Sequence, residues 1–394
     1  MEILSMKRNV KKTHKWWIEY EDGSRTLDLE MGQMAYTLGF SNEEIVDDMA
    51  DQLRTVSRVI PYWEEDHPTI QEAKNMICDS GEWNKIQWSV SGTSAVEAAI
   101  AMADHYHMKS GDNRPGIITY TPVWHGTSYL TFGMSNPDLR AFNSSRCVSI
   151  KTPNWIDVKD RHEEEKRVLI QTRNVISNPN GNRYIGMVVF NPIANFNGIM
   201  PYSEWFWQEL RNICNSTSTL MIVDDVTSCW GKCKDWHSYM SMGNGVKPDI
   251  SALGKAIAGG HAPIGVTVAN KKVADKLSGW IYGHSWNPSM GAIAAINATT
   301  RITKRDNLIG NSHWIEDQHD QMCDRLLQDE KIKSWRSYGC FLAIDLITDI
   351  PQEHYLAKGL STKYRPNVIK ITAPLIANEE YFNDLETSLR GLLE

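Results

Sequence analysis

The sequence predicts an α/β protein, with a large domain on a doubly wound, mostly parallel sheet and a smaller α+β domain. The first reason is that short apolar runs rich in β-branched residues alternate with helical patterns, which is typical of parallel sheets. The runs that we interpret as strands are residues 117–120, 187–190, 220–226, 250–253 and 264–269. The second reason is a change after residue 288, where helices are predicted over 289–302 and 311–329.

Shorter elements begin and end the chain. Two strands within residues 17–29 are joined by an Asp-Gly dipeptide, which strongly favours a hairpin. Ser41 is a candidate N-cap with Glu44 as its capping-box partner, so a helix is expected over residues 42–56. Near the C-terminus we expect one strand over 337–346. The predicted domains are residues 46–288 for the large domain and 289–394 for the small domain, with residues 1–45 joining the small one.

Composition excludes some classes of function. The 394 residues include 41 lysines and arginines against 48 aspartates and glutamates, and no basic run marks a nucleic-acid interface. No uncharged apolar run approaches the roughly 20 residues of a membrane span, and residues 1–15 lack the apolar stretch of a signal peptide. Seven cysteines, an odd number, fit reduced thiols. We therefore expect a cytoplasmic protein.

A metal site is one interpretation of Cys229, Cys233 and His237, which follow one another at intervals of four residues. This spacing matches no established zinc pattern, and no fourth ligand is evident nearby. No metal is therefore expected.

The most informative residue is Lys255, which lies among small apolar residues after Gly254. An ammonium group there is poorly solvated, which lowers its pKa and favours a nucleophilic amine that can form a Schiff base with an aldehyde. The predicted strand 220–226 carries Asp224 and Asp225 at its end, where α/β sheets place their sites. A lysine with an aspartate that can hold a pyridinium nitrogen is the protein half of pyridoxal phosphate chemistry. Taken alone, each is also consistent with an ordinary loop, a helix cap or a metal site.

Two further segments fit a phosphorylated, planar ligand. Gly92 and Thr93 begin an alanine-rich helix, whose positive end and free N–H groups suit a phosphate, although a plain capped helix has the same pattern. Trp124 and His125 follow the strand at 117–120, where an aromatic ring either stacks on a ligand or packs in the core.

Two common alternatives fail on the sequence itself. A P-loop ending at Lys255 requires glycine at position 249 and a hydroxyl at 256, where the chain has Asp249 and Ala256. No G-x-S-x-G is present and no G-x-G-x-x-G follows a strand, so a hydrolase or a dinucleotide fold has no support.

Together these segments resemble the class III pyridoxal-phosphate aminotransferases, the family of glutamate-1-semialdehyde aminomutase and dialkylglycine decarboxylase. The resemblance covers residues 20 to 375, and its most specific part is the strand with Asp224 followed by Gly254-Lys255. It implies the type I aminotransferase fold, pyridoxal 5'-phosphate as the cofactor, and a homodimer with shared active sites.

The resemblance also implies a role for each candidate site residue. Lys255 would hold the cofactor as a Schiff base and move protons, and Asp224 would pair with the pyridine nitrogen. Val226 would pack on one face of the ring and Trp124 on the other, with His125 also among the cofactor-binding residues.

The cofactor phosphate would contact Gly92 and Thr93. Ser285 would reach the same phosphate from the second subunit, although the segment before it is shorter than in relatives.

Departures from the family lie on the substrate side. Four of them are Asn191 for Glu, Asp225 for Glu, Cys229 for Gly and Lys232 for Arg. The arginine that binds a substrate carboxylate in many relatives corresponds to Lys370, and the glutamate that counters it corresponds to Phe196. An ammonium cannot reproduce bidentate recognition of a carboxylate. We therefore expect intact cofactor machinery without the usual recognition of 2-oxoglutarate or glutamate.

The first functional hypothesis is an aminotransferase that moves an amino group between an amine or amino acid and a carbonyl acceptor. The second is a decarboxylase, aminomutase or epimerase with the same cofactor, because the substrate pocket decides which bond at the α-carbon reacts. The third is a non-catalytic relative that uses the fold for binding, against which the retention of Lys255, Asp224 and Gly92-Thr93 argues.

Overall fold

The computed structural model describes residues 8–60, 65–135, 145–152, 160–178, 184–193, 198–327 and 330–394, and every structural statement below refers to these residues. The strands are β1 (Val10–His14), β2 (Trp17–Tyr20), β3 (Arg25–Asp28), β4 (Lys85–Ser89), β5 (Gly116–Thr121), β6 (Cys147–Lys151), β7 (Ile185–Phe190), β8 (Leu220–Asp224), β9 (Ile250–Gly254), β10 (Gly265–Ala269), β11 (Ile332–Tyr338), β12 (Phe341–Leu346), β13 (Leu360–Ser361) and β14 (Val368–Thr372). The helices are Glu43–Thr55, Pro68–Gly81, Gly92–Lys109, Tyr129–Ser135, Arg161–Ser177, Glu204–Ser216, Ser238–Ser241, Lys271–Ala274, Met290–Arg305, Leu308–Leu326, Gln352–Ala357 and Glu379–Leu393.

The large sheet has seven strands in the order β4-β10-β9-β8-β7-β5-β6. The strands from β9 to β6 are parallel to one another, and β10 runs antiparallel to β4 and β9. Every residue of β5, β7, β8, β9 and β10 is buried. Complete burial is typical of strands that are covered on both faces. The predicted doubly wound, mostly parallel sheet is confirmed.

A different core covers each face of this sheet. Along β8, Leu220 and Ile222 belong to the core on the side of helix Gly92–Lys109, whereas Met221 and Val223 belong to the core on the opposite side. This alternation is the period of two that a strand imposes. The carboxyl ends of the strands remain as the edge that helices do not cover.

Two smaller sheets, β1-β2-β3-β13 and β11-β12-β14, complete the fold. The predicted hairpin near the N-terminus is present as the antiparallel pair β2 and β3. Strand β13 pairs in parallel with β3, with Leu360 opposite Leu27, so the beginning of the chain is joined to its last part. Helix Leu308–Leu326 packs on β11 and β12 and against helix Glu379–Leu393, which forms the expected smaller α+β portion.

Two local predictions are wrong. Asn42 is the N-cap of helix Glu43–Thr55, because its side chain accepts a hydrogen bond from the Ile45 N–H, and Ser41 lies outside the helix. The strand expected over 337–346 contains a turn, so that β11 and β12 form an antiparallel hairpin. Gly339 makes this turn with a φ of 55°, a backbone conformation that L-residues avoid.

We predict that Gly339→Ala lowers the free energy of unfolding by about 1–3 kcal/mol. A Cβ at this position would lie 2.3 Å from the Lys232 carbonyl oxygen, and the φ is unfavourable for alanine. Urea unfolding of both proteins measures the difference. Gly391→Ala is the matched control, since its Cβ meets no atom within 4 Å and alanine favours a helix. Equal midpoints for the two variants would contradict the prediction.

Candidate active site

A cavity of about 290 Å³ opens at the carboxyl ends of β5, β7, β8 and β9. This edge is where doubly wound sheets place ligands, because the loops after neighbouring parallel strands meet there. Seven of the eight candidate site residues line the cavity, namely Gly92, Thr93, Trp124, His125, Asp224, Val226 and Lys255. The eighth, Ser285, is exposed and does not line it. Its contact with the phosphate of the partner subunit's site stays a prediction.

Lys255 follows the last residue of β9 and begins a short 3-10 turn, Lys255–Ala258. Its φ of 43° lies in the left-handed region, which is unfavourable for a residue with a side chain and is common at functional sites. The Nζ atom donates a hydrogen bond to Thr227 Oγ1 at 3.0 Å. Burial lowers the pKa of the Lys255 ammonium, and the carboxylates of Asp224 and Glu30 partly oppose this shift. A larger fraction of the amine is therefore neutral and nucleophilic.

Asp224 ends β8 and is buried together with His125. Its Oδ2 atom accepts a hydrogen bond from His125 Nδ1 at 2.7 Å, and its Oδ1 accepts one from the Val226 N–H at 3.3 Å. On the other side of the imidazole, Nε2 is 3.0 Å from Thr119 Oγ1. An ionised carboxylate only accepts hydrogen bonds, so Nδ1 carries the proton and the ring orientation is determined. The sequence placed His125 near the ligand but did not predict this pairing.

A tight contact between Gly92 and Val226 forms another part of the cavity wall. Helix Gly92–Lys109 has Ser91 as its N-cap, with Ser91 Oγ accepting from the Ser94 N–H at 3.2 Å. A Cβ on Gly92 would lie 2.6 Å from Val226 Cγ1, so a side chain there would displace Val226. The N–H groups of the first helical turn have no partner within the helix and suit an anionic oxygen.

Trp124 also lies on the cavity wall, with 46% of its surface exposed and its ring edge-on to Phe132. Stacking of Trp124 and Val226 on the two faces of a ring stays a prediction. Asn191, which stands where relatives have Glu, donates from Nδ2 to the Asp224 carbonyl oxygen at 3.2 Å and accepts from the Ile193 N–H. Asn191 therefore connects the residues that follow β7 to the end of β8. Phe196 lies outside the described residues.

The cavity is also lined by Lys363, Arg365, Lys370 and Glu30, of which the sequence analysis singled out only Lys370. Arg365 Nη1 donates to Glu30 Oε1 at 2.6 Å. Lys370 is 1% exposed, and its burial, with the nearby Arg365, lowers its pKa to about 7. An arginine is thus present in the cavity five residues before the expected position. The sequence signal that could have indicated Arg365 is the pair of basic residues shortly before β14, Lys363 and Arg365.

The three residues considered as metal ligands have other surroundings. Cys229 and Cys233 are free thiols, and His237 Nε2 is bonded to Ser80 Oγ and Trp83 Nε1. Within the described ranges, no group of three or more His, Cys, Asp or Glu side chains could hold a metal ion. Nor does that part of the chain contain a helix both long and apolar enough to traverse a lipid bilayer.

The cavity thus combines an amine, an acidic partner and a helix N-terminus around one space, the donor set that a phosphorylated pyridine aldehyde requires. The chain belongs to the class III aminotransferases, whose family model matches residues 2–393. The resemblance found in the sequence is confirmed. The protein is a pyridoxal-phosphate-dependent aminotransferase.

The relatives extend over nearly the whole chain. An ornithine aminotransferase of Staphylococcus aureus is 26% identical over 381 residues, which cover 95% of this chain and 91% of that protein. An acetylornithine aminotransferase of Clostridium acetobutylicum is 24% identical over 382 residues, with coverage of 95% and 92%. The structure of an amine transaminase from an uncultivated Pseudomonas species, in its PLP-bound form, matches with a TM-score of 0.89 at 21% identity over 98% of this chain and 94% of that chain. The expected type I fold is confirmed.

We predict that Asp224→Asn weakens binding of pyridoxal phosphate by roughly 10-fold to 100-fold, the effect of losing one charge-assisted hydrogen bond. The resemblance implies that Asp224 pairs with the ring nitrogen, whose positive charge an amide would not balance. The NH₂ group of the amide would also oppose His125 Nδ1. Titration of the cofactor-free protein, followed by tryptophan fluorescence, measures the change.

The neighbouring Asp225→Asn variant is the control. Asp225 is fully buried, accepts hydrogen bonds from Ser228 Oγ and the Ser238 N–H, and does not line the cavity. Burial raises its pKa to about 7, so the amide resembles its protonated form. Equal losses of affinity in the two variants would contradict the role given to Asp224.

Proposed function

We propose that Lys255 carries pyridoxal phosphate as a Schiff base and that the amino donor enters from the end of the cavity lined by Arg365 and Lys370. The observation that supports this most is that Lys255, Asp224 and Gly92 line a single cavity. The alternatives of a decarboxylase, aminomutase or epimerase have less support, since the matched relatives are aminotransferases.

Bound pyridoxal phosphate supplies an aldehyde that condenses with amines and a ring that withdraws electrons from the substrate carbon. Asp224, oriented by His125, would keep the ring nitrogen protonated. Gly92 and Thr93 would hold the phosphate through backbone N–H groups at the helix start. Lys255 Nζ, whose pKa burial lowers, would take a proton from the substrate carbon and return it. Thr227 Oγ1, which accepts from this Nζ in the present structure, orients it.

We infer that the donor is an amine that carries a carboxylate. The guanidinium of Arg365 presents several N–H groups, and in the described part of the chain its hydrogen bonds all leave from Nη1. The described residues that line the cavity include four basic side chains, Lys255, Lys363, Arg365 and Lys370, and two carboxylates, Asp224 and Glu30. The excess of positive charge favours an anionic substrate group. The expectation that the usual recognition of 2-oxoglutarate or glutamate is absent stays a prediction, and Arg365 is our candidate for a different contact with a carboxylate.

The oligomeric state, location and domain division are proposals that rest on other observations. Ile281 and Trp286, on either side of Ser285, are 82% and 76% exposed. Exposed apolar side chains of this size are typical of subunit interfaces, which supports a homodimer with shared sites. All seven cysteines are free thiols, which supports a cytoplasmic location. The pairing of β3 with β13 supports the assignment of residues 1–45 to the small domain of 289–394, beside the large domain of 46–288.

We predict that the purified protein absorbs near roughly 410–430 nm, that borohydride removes this band, and that Lys255→Ala lacks it, because a Schiff base requires the lysine amine. Absorbance spectra before and after reduction, with mass spectrometry of the modified peptide, test this. The control is Lys271→Ala, an exposed lysine paired with Asp275 that does not line the cavity. A borohydride-sensitive band that survives in Lys255→Ala would refute the assignment.

We predict that the ratio of the KM for 4-aminobutyrate to the KM for butylamine rises roughly tenfold between pH 6 and pH 8. Butylamine has the same amine but no carboxylate. The sign follows from Lys370, whose pKa burial lowers to about 7, so that its charge is present below this pH and lost above it. Lys370→Arg should flatten the ratio, because a guanidinium remains charged. Steady-state kinetics with both donors measures it. An unchanged pH profile in Lys370→Arg would mean that this side chain does not contact the carboxylate.

A further inference from the structure

The short turn that begins with Lys255 packs directly against residues near the N-terminus. Two glycines follow the turn, Gly259 with a φ of 60° and Gly260 with a φ of 84°. A Cβ on Gly259 would lie 2.8 Å from Ile45 Cδ1, and a Cβ on Gly260 would lie 2.8 Å from Tyr36 Cα. A side chain at either position would therefore force its neighbour to move, in a backbone conformation that already favours glycine.

His261 joins the same two stretches of chain through both of its ring nitrogens. Its Nε2 atom accepts a hydrogen bond from the backbone N–H of Asn42 at 3.0 Å. Because Nε2 is the acceptor, a neutral ring carries its proton on Nδ1, which donates to the Gly259 carbonyl oxygen at 2.9 Å. The imidazole thus has one tautomer and one orientation, and it links the turn after Lys255 to the N-cap of helix Glu43–Thr55.

Burial favours the neutral form of this imidazole. The ring is partly buried, with the Tyr36 ring edge-on to it at a centroid distance of 5.7 Å. Burial lowers the pKa of His261, and the hydrogen bond to the Gly259 carbonyl oxygen partly opposes this shift. Protonation would give Nε2 a hydrogen that opposes the Asn42 N–H. The contact is therefore complete above the ordinary histidine value of about 6.5 and is lost as the pH falls through the lowered pKa.

Charged groups on the neighbouring helices do not determine this titration. They are the acids and arginines where the helices Glu43–Thr55 and Met290–Arg305 meet, namely Glu43, Glu44, Arg301 and Arg305. Glu44 is paired with both arginines. In the described ranges, no charged side chain contributes to the lowered pKa of His261. The pH at which the contact opens is thus set by the burial of the ring and by its hydrogen bonds.

We propose that His261 is a positioning residue for Lys255 and that its protonation releases the lysine turn from residues 35–45. The backbone N–H of His261 donates to the Ala258 carbonyl oxygen at 3.0 Å, so the residue that makes the contact also closes the turn. Lys255 itself has a φ of 43°, which persists only where surrounding contacts stabilise it. His261 does not line the active-site cavity, so its effect on the reaction is indirect. The inference rests on the proposed function in one respect, that Lys255 forms the Schiff base.

The first test compares His261→Gln and His261→Phe in the full chain without cofactor. The glutamine amide oxygen replaces Nε2 as the acceptor and has no charged form, whereas phenylalanine keeps a ring and removes the acceptor. Hydrogen exchange at pH 8, followed by mass spectrometry, should be about threefold to tenfold faster at Asn42 and at residues 255–261 in His261→Phe. In His261→Gln it should stay close to the wild-type rate. Equal exchange in the wild-type protein and His261→Phe would refute the proposal.

The second test uses the complete enzyme with the donor butylamine, which has no carboxylate and is therefore independent of Lys370. The ratio of kcat in the wild-type protein to kcat in His261→Gln should fall about threefold to tenfold between pH 8 and pH 5, because only the histidine becomes charged. Groups common to both proteins, and the donor amine, cancel in this ratio.

The matched control is His162→Gln. His162 is an exposed histidine of helix Arg161–Ser177 that does not line the cavity. The ratio of kcat in the wild-type protein to kcat in this variant should not change with pH.

A ratio for His261→Gln that is independent of pH would overturn the proposal, even where His261→Phe fails to fold. A merely structural histidine would change the melting temperature and leave this pH profile flat. A failure of the proposed function is distinguishable, since the wild-type protein would then lack the borohydride-sensitive band, while the exchange measurement needs no cofactor.

Discussion

The parallel pairing of β8 with β9 is the constraint on which the site depends. Its register places Asp224 opposite Ala252, so that β8 ends beside β9 and Lys255 emerges just beyond the end of the neighbouring strand. Adjacent strands lie about 4.8 Å apart, so the carboxylate and the amine reach the same edge of the sheet. A shift of the register by one residue would turn each side chain to the opposite face of the sheet. Because every residue in both strands is buried, such a shift would disrupt the packing on both faces.

The electrostatics of the site follow from this placement. Three lysines, Lys232, Lys255 and Lys370, have buried ammonium groups, and burial is the largest cause of the lowered pKa of each. Lys255 also contributes to the lowered pKa of the other two. Asp224 and Glu30 are the carboxylates that oppose the shift of Lys255. For Lys255 the effect of burial exceeds that of these carboxylates, which favours the neutral, nucleophilic form of its amine.

The cavity contains both residues that match the family's pattern and residues that depart from it. Gly92, Asp224 and Lys255, to which the resemblance assigns cofactor contacts, line it together. Lys370, at the position where the resemblance implies an arginine, lines the cavity together with Arg365. Arg365 pairs with Glu30, which lies just after β3, and the two are 335 positions apart in sequence. Residues near the N-terminus, residues near the C-terminus and Lys255 therefore line a single cavity.

The sequence by itself determined the sheet and the cofactor class and placed Lys255 in the cavity. Each depends on a local pattern: buried β-branched runs, carboxylates at a strand end, and a lysine among small apolar residues. It misplaced the N-cap at Ser41 and the turn at Gly339, where neighbouring residues offer equally good local signals. Only the tertiary structure decided which distant segments meet. His125 and Asp224 are 99 positions apart, and Lys232 and Met34 are 198 apart. No local pattern encodes such pairs, since they depend on the packing of loops that share only the edge of the sheet.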